Sequence, residues 1–495
     1  YFVRFIGEVS NKEFIHKTYE WIPSLGVNLS FTLDGLSLLF SLLITGIGTL
    51  VFAYTSGYLK GHEYLDRFYG YLSIFMGAML GLVLSDNLIS LFVFWELTSI
   101  SSFFLIGFNN TSEASRKSAL TALGITGIGG LLLLGGGLVL GNISGTYSIT
   151  EMLAQKDLIQ GHEHYILAAC LIFGAAFTKS AQFPFHFWLP GAMKAPTPVS
   201  TYLHSATMVK AGVYLLFRMS PLMGSTSFWN NTLLIVGLIT MIYSAFHSIF
   251  RTDMKGILAY TTISALGILV FLIGLGTHES YLAAAVFIIV HALYKATFFM
   301  MTGVVDHQAK TRNVTELSGL RKVMLPVAIA GLLAAISNAG IPPSVGFIGK
   351  DLIYEGTFHF EHSAILLTGL AILTNVFISY AGYVAGIKPF IGKLPEKFEK
   401  VKFPSFFLWF PPVLLGALGF VFGLFPVLIE KSLVKPILWS IGEDAAEVHL
   451  KLWHGITPIL GLSLLTIASG IILYFVLKPS AKKEAFITKF EALSP

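Results

Sequence analysis

Seven ionisable residues lie inside apolar runs, where packing alone gives them no reason to be. Glu96 sits in LFVFWELTSISSFF, Lys179 in LIFGAAFTKSAQF and Lys350 in GFIGKDL. His204 and Lys210 share TYLHSATMVKAGVYLL, six positions apart and so on different faces if that stretch is one helix. His291 and Lys295, in VFIIVHALYKATFF, are one turn apart on the same face. A charge at the centre of a bilayer costs roughly 2.5 to 3.5 kcal/mol, so four lysines together cost on the order of 10 kcal/mol, comparable with a protein's whole net stability. Residues that costly point to function, and the chemistry they can do is proton transfer. A carboxylate beside a lysine can hold or release its proton, desolvation brings the charged and neutral forms of a lysine closer in energy, and histidines titrate near neutral pH. Each residue also has a plainer alternative. Glu96 could neutralise a lysine as a structural ion pair, Lys350 could snorkel from a helix end, and His204 and His291 could be satisfied core histidines.

The composition requires a membrane. Of 495 residues, 54% are hydrophobic and 12% charged, against roughly 25% charged in soluble domains, and the mean hydropathy is +0.74. This excludes a soluble enzyme, a disordered chain and a nucleic-acid binder. The 32 basic and 27 acidic residues are scattered between apolar runs, with an excess of +5 that fits loops beside anionic lipid. The single cysteine, Cys170, rules out an internal disulfide and a cysteine-ligated cluster or zinc. No haem, flavin or nicotinamide motif is present, so the sequence implies no cofactor, no metal site, no catalytic residue and no enzyme activity of its own.

The elements that must position the seven residues are membrane helices of about 20 apolar residues. Candidates centre near 45, 77, 97, 130, 174, 208, 240, 266, 291, 332, 376, 418 and 466. Two stretches cannot be straight helices. TKSAQFPFHFWLPGAMKAPTPVS is interrupted by Pro184, Pro190, Pro196 and Pro198, and SNAGIPPSVGFIGKDL by Gly340, Pro342, Pro343 and Gly346. Set side by side, 69–217 and 231–388 each hold about five crossings with the break at the fourth, the pattern of inverted repeats with an ion path at the breaks. Two independent proline kinks would also produce it. The glycine run GITGIGGLLLLGGG reads as close helix packing and not a nucleotide loop, because no strand precedes it. Asp34 and Asp86 are expected to cap helices, and Asp306 and His307 to face water. Basic loops fall on both parities of crossings, so charge counting leaves the orientation open.

FTKSAQFPFHFWLPGAMKAPTPVSTYLHSATMVKAGVYLL, FRTDMKGILAYTTISALG, HALYKATFFMMTGVVDH and AGIPPSVGFIGK together resemble the antiporter-like proton-channel family shared by respiratory complex I and the multisubunit Mrp cation/proton antiporters. WIPSLGVNLSFTLDGLSLLFSLLITGIG and DHQAKTRNVTELSGL are most similar to the N-terminal part of the family's A-type Mrp branch. The resemblance runs from about Trp21 to about residue 478. It implies an all-α integral membrane bundle of fourteen helices, built as two inverted five-helix repeats with broken fourth helices. Two family helices would precede Phe31, so the chain is expected to lack one and most of the second, and to stop short of the end of the A-type proteins. The implied organisation is a truncated segment 1–30, a leading helix and loop 31–68, repeats 69–217 and 231–388, and C-terminal helices 389–495. By motif, Glu96 corresponds to the glutamate of the fifth family helix, Lys179 to its partner in the broken seventh, and His204 and Lys210 to the eighth-helix relay. His291 and Lys295 match the central pair, and Lys350 the lysine on the outlet side. The chain departs from the family at Gly191 and Lys194, where an acidic pair is frequent, at Ala265 in place of glutamine, and at Phe287 in place of a second histidine. Either a water fills that last step or the path runs through His291 alone.

The reading is a proton-translocating component of a multisubunit Na+/proton antiporter in a prokaryotic inner membrane, crossing it many times, with other membrane subunits as partners and protons and Na+ as substrates. Alternatives are a pump module of a redox complex, such as NADH:quinone oxidoreductase or a membrane-bound hydrogenase, and the proton-supplying component of a bicarbonate-uptake complex.

Overall fold

The computed structural model describes residues 1–360 and 363–478; the basic stretch after Lys478 lies outside the described residues. Fifteen helices carry the architecture: α1 (Gly35–Tyr58), α2 (Leu65–Leu84), α3 (Leu88–Ile106), α4 (Glu113–Ser144), α5 (Tyr165–Lys179), α6 (Thr197–Ser205), α7 (Ala211–Met223), α8 (Ser227–Ser248), α9 (Met254–Leu275), α10 (His278–Ala309), α11 (Leu325–Ala339), α12 (Val345–Phe358), α13 (Ala364–Gly386), α14 (Phe406–Leu424) and α15 (Pro458–Val476). Ten of them are long and apolar enough to cross a bilayer. The chain is a polytopic helical membrane bundle.

Polar residues start the helices where backbone amides lack partners. Asp34 and Ser37 form a reciprocal capping box at α1, Asn87 accepts from Ile89 and Ser90 at α3, and Thr277 and Ser280 repeat the box at α10. Asp34 is thus a cap, as its position implied. Its carboxylate also pairs with Arg218 of α7, Nη2 to Oδ1 at 2.9 Å. Burial alone would raise the Asp34 carboxyl, but the Arg218 guanidinium and the Ser37 bonds hold it below the usual carboxylate range. Asp86 differs from expectation. Asn87 caps α3, and Asp86 accepts from Ser148 Oγ (2.7 Å) and Thr150 N (3.1 Å), fastening the loop after α4.

The segment ahead of α1 corrects another expectation. Residues 15–33 are not the stub of a membrane helix but an antiparallel hairpin, β1 (Ile15–Ile22) with β2 (Val27–Leu33), Tyr19 opposite Leu29. Asn28, Ser30 and Thr32 alternate with Val27, Leu29, Phe31 and Leu33 along β2, a period of two that suits a strand.

Burial sorts the helices. The apolar window of α10 is 94% buried, that of α9 89% and that of α15 17%, so α9 and α10 form the centre and α15 the periphery. The α8–α9 pair is close because Gly237, Gly267 and Gly274 let backbone meet backbone. The glycine run of α4 does the predicted packing: Gly129 lies against Thr178 of α5, Gly136 against Ile172, and Gly137 against Leu88 of α3.

Helix direction divides the loops between two faces. On one, Tyr58 meets Thr197 and His307, Asp253 bridges to Asn313, and Lys397 pairs with Glu316. This face carries Lys60, Arg116, Lys310, Arg321, Lys388 and Lys400. On the other, Asp86 joins Ser30 and Ser148, and His278 joins Glu443. Asp157, Glu279, Glu355, Asp444 and Glu447 lie there.

Candidate functional site

The breaks are built as the prolines and glycines require. After Lys179, Ala181 turns left-handed (φ 49), Pro184 precedes a 3-10 turn at Phe185–Phe187, Pro190 sits in the one-turn helix Trp188–Gly191, and Pro196 precedes α6. Pro198 breaks nothing, because it occupies the first turn of α6, where a missing amide is harmless. The freed polar groups are satisfied internally: Trp188 Nε1 donates to Thr178 O (2.9 Å) and the Phe183 amide to Thr240 Oγ1 (3.0 Å). The second break lies between α11 and α12. Gly340 ends α11 with φ 68, and Pro342 and Pro343 occupy the gap. A Cβ at Gly340 would press on the Lys350 chain (2.9 Å to Cδ), so this glycine supplies both the turn and the room for the lysine.

A third break was not foreseen. His204 lies in the last turn of α6 and Lys210 precedes α7, with Ala206 and Thr207 unwound between them, so the two residues do not share one helix. Hydroxyls of Ser205 and Thr207 bond to carbonyls of Thr201 and Tyr202, and Lys210 Nζ takes Ser205 O at 2.5 Å. Side chains thus claim the carbonyls that a continuous helix would use.

The lysines share one mode of attachment. Lys179 Nζ donates to Ser99 Oγ (2.7 Å) and Trp95 O (3.1 Å) of α3. Lys210 reaches Ser205 O and, on α10, Ile288 O (3.2 Å). Lys295 reaches Thr261 Oγ1 of α9 (2.7 Å). Lys350 holds Ala339 O (2.8 Å) at the end of α11, where the helix dipole favours a cation, and Ser379 Oγ (3.2 Å). All four are buried. Among the described residues none pairs with a carboxylate within 4.0 Å. Carbonyls and hydroxyls stabilise the ammonium without a fixed anion, so loss of the proton leaves no unpaired buried charge.

Glu96 stands close enough to Lys179 for their charges to interact, without a direct ion pair. The plainer alternative for Glu96, a structural ion pair with a lysine within 4.0 Å, is not found among the described residues. Its Oε1 is buried with no protein partner, and the side chain rests on Gly130 of α4. Glu96 is half-buried, and Val93 and Ile100 on the same face of α3 are exposed. Both ring nitrogens of His204 and of His291 are buried and unpartnered. His291 lies within electrostatic reach of Lys210 and Lys295, which brings the central three together. Its ring packs on Phe287, 6.2 Å between centroids, where the second histidine would stand. Near Lys350, Ser337 Oγ is also unpartnered.

The sequence reading missed Lys255. It is 2% exposed, donates to Ala195 O (2.8 Å) in the first broken segment, and interacts electrostatically with His204. On its other side stand Asp253, Asp306 and Arg312, with Arg312 Nη1 3.5 Å from Asp306 Oδ2. Asp306 and His307 form the last turn of α10 and are half-buried there, not free in water. At the opposite face, a cavity of about 630 Å³ is lined by Asp351, Glu355, Glu279, Glu443 and His278. Asp351 adjoins Lys350 along α12.

Residues 85–377 match the family profile described as NADH:quinone oxidoreductase/Mrp antiporter, transmembrane, and residues 21–69 match the N-terminus of complex I chain 5. The A subunit of the Na(+)/H(+) antiporter of Alkalihalophilus pseudofirmus is 39% identical across 100% of this chain and 65% of its own length. The A1 subunit of the Na(+)/H(+) antiporter of Staphylococcus haemolyticus is 43% identical over 96% of this chain and 62% of its own. The structure of the Mrp complex from Dietzia sp. DQ12-45-1b contains a chain that superposes with a TM-score of 0.88 at 36% identity, covering 99% of this chain and 55% of that one. The chain therefore spans between 55% and 65% of the length of these relatives.

Proposed function

The chain belongs to the NADH:quinone oxidoreductase/Mrp antiporter membrane family, and on that premise we propose that it conducts protons for a multisubunit Na+/proton antiporter. The observation that carries this reading is the line of buried lysines held by carbonyls and hydroxyls instead of carboxylates. The proposed path joins Glu96, Lys179, His204, Lys210, His291, Lys295 and Lys350. The unpartnered nitrogens of His204 and His291 support hydration of the steps between them, because buried polar atoms without partners are costly unless water reaches them.

The two faces supply orientation and mouths. The basic face is cytoplasmic by the positive-inside rule. Lys255, between His204 and the Asp253–Arg312–Asp306 cluster, connects the path to that face. The acidic cavity beside Lys350 opens the path on the other. With the proton-motive force directed inward, protons pass from the cavity toward Lys255, while coupled charge movements drive Na+ outward through this or adjoining subunits. The half-buried Glu96, on the outer side of α3, supports a partner subunit there.

The recurrence of three long helices, a broken segment and a fifth helix in α2–α7 and again in α8–α13 supports two inverted repeats, 69–217 and 231–388. On this reading 1–30 and 31–68 lead into them and 389–495 follows.

The test is sodium-dependent dissipation of a pH gradient in everted vesicles carrying the full assembly. Exchange on adding Na+ is the expected result; no exchange under any cation, with proton pumping on adding a reductant, moves the protein to the redox complexes. Lys255→Ala is expected to slow exchange about tenfold or more, with assembly intact. An unchanged rate would remove Lys255 from the path.

A further inference from the structure

At the basic face, the start of α2, the end of α3 and the start of α4 enclose a notch of about 320 Å³ lined by Arg67, Arg116, Tyr71, Phe104, Phe108 and Leu120, among others. Its two cations are not neutralised. Among the described residues neither arginine lies within 4.0 Å of a carboxylate. Arg116 Nη1 donates only to the carbonyls of Asn110 (2.7 Å) and Thr111 (3.2 Å). Arg67 lies over the rings of Tyr64 (4.4 Å) and Phe108 (5.3 Å), and its Nε is buried without a partner. The aromatic rings fix the guanidinium in place without neutralising its charge.

The rest of the notch is apolar and faces outward. Phe104 is 43% exposed and Leu120 59%, and Tyr71 stacks on Phe104 at 5.1 Å. These side chains continue into the lipid-facing surface of α4, where Ile128 and Leu131 are also exposed. Unpaired guanidinium groups at the level of the helix ends, with an apolar wall running from them toward the bilayer core, match a molecule with a phosphodiester anion on an acyl chain.

We propose that this notch binds an anionic phospholipid, its phosphate between Arg67 and Arg116 and one acyl chain along Phe104 and Leu120. Arg67, held against the rings of Tyr64 and Phe108, supplies one cation of the pair, and Arg116, already holding the α3–α4 loop by its carbonyls, ties that loop to the lipid. Neutral lipids lack the charge that two unpaired arginines select, and a soluble anion lacks the chain that the apolar wall accommodates.

The test uses the full assembly in nanodiscs with photoactivatable phosphatidylglycerol or phosphatidylcholine probes bearing a diazirine in the acyl chain, followed by peptide mapping. The anionic probe is expected to label the 103–120 region of wild-type protein and to lose about tenfold of that labelling in R67Q/R116Q. The phosphatidylcholine probe is expected to label that region weakly and equally in both. Equal labelling by both probes in wild type, or unchanged anionic labelling in R67Q/R116Q, overturns the proposal, as does label confined to a partner subunit's side chain seated in the notch. Should R67Q/R116Q fail to assemble, R116Q alone, on an exposed side chain, is expected to lower anionic labelling several-fold; no change overturns the proposal.

Discussion

Lys295→Ala is expected to reduce sodium-dependent exchange in everted vesicles to about one hundredth or less, the scale on which proton-transfer groups act, while the complex still assembles. Both halves of this expectation follow from how the side chain is held. Lys295 is buried at the middle of α10, and its Nζ donates to Thr261 Oγ1 at 2.7 Å and faces Leu258 O at 3.5 Å. Alanine removes the lysine one turn from His291, which the proposed line uses on the way to Lys350. Because no carboxylate among the described residues lies within 4.0 Å of Lys295, the substitution strands no buried anion there, and the penalty of roughly 3 to 5 kcal/mol for breaking a buried pair does not arise. The folding cost is a hydrogen bond, about 1 kcal/mol, and the space left by the side chain. Sodium-dependent exchange at the wild-type rate in an assembled mutant would take Lys295 out of the pathway.

The second large effect is expected from a glycine. A Cβ at Gly130 of α4 would lie 2.6 Å from Glu96 Cδ and 3.2 Å from its Cγ, so valine cannot share the space with the carboxylate. Gly130→Val must push Glu96 out of its seat and away from Lys179, at an overpacking cost of about 1 to 3 kcal/mol. Exchange is expected to fall about tenfold or more, as in Glu96→Gln, with the charge of Glu96 still present. Gly124→Val is the control on the same helix, since nothing lies within 4 Å of a Cβ there. If both glycine variants exchange at the same rate, the position of Glu96 against Lys179 is not needed.

Some of this was legible from residue type alone. A lysine within a stretch apolar enough to span a membrane is expensive in any membrane fold, so Lys179, Lys210, Lys295 and Lys350 stood out without coordinates, and the structure buries all four. The proline breaks were legible for a similar reason: a missing amide and a clashing ring act locally, whatever surrounds them. Lys255 escaped because it follows Asp253 at the first turn of α9 and looks like a helix start in water. Residues 193–195, some sixty positions earlier, bury it. The break at Ala206 and Thr207 escaped because no proline marks it. It depends on Lys210 reaching Ser205 O, and that lysine is steered by Ile288 on α10.

The sequence by itself determined the solvent, the helical class, the two proline breaks and which side chains are too costly to be incidental, because each follows from the transfer energy or backbone chemistry of single residues. The tertiary structure decided what each lysine touches, the seat of Glu96 on Gly130, the burial of Lys255, the hairpin ahead of α1 and the gathering of basic loops on one face. Those depend on which distant segments meet, and a charge counted along the chain acquires a side of the membrane only when helix direction assigns it one.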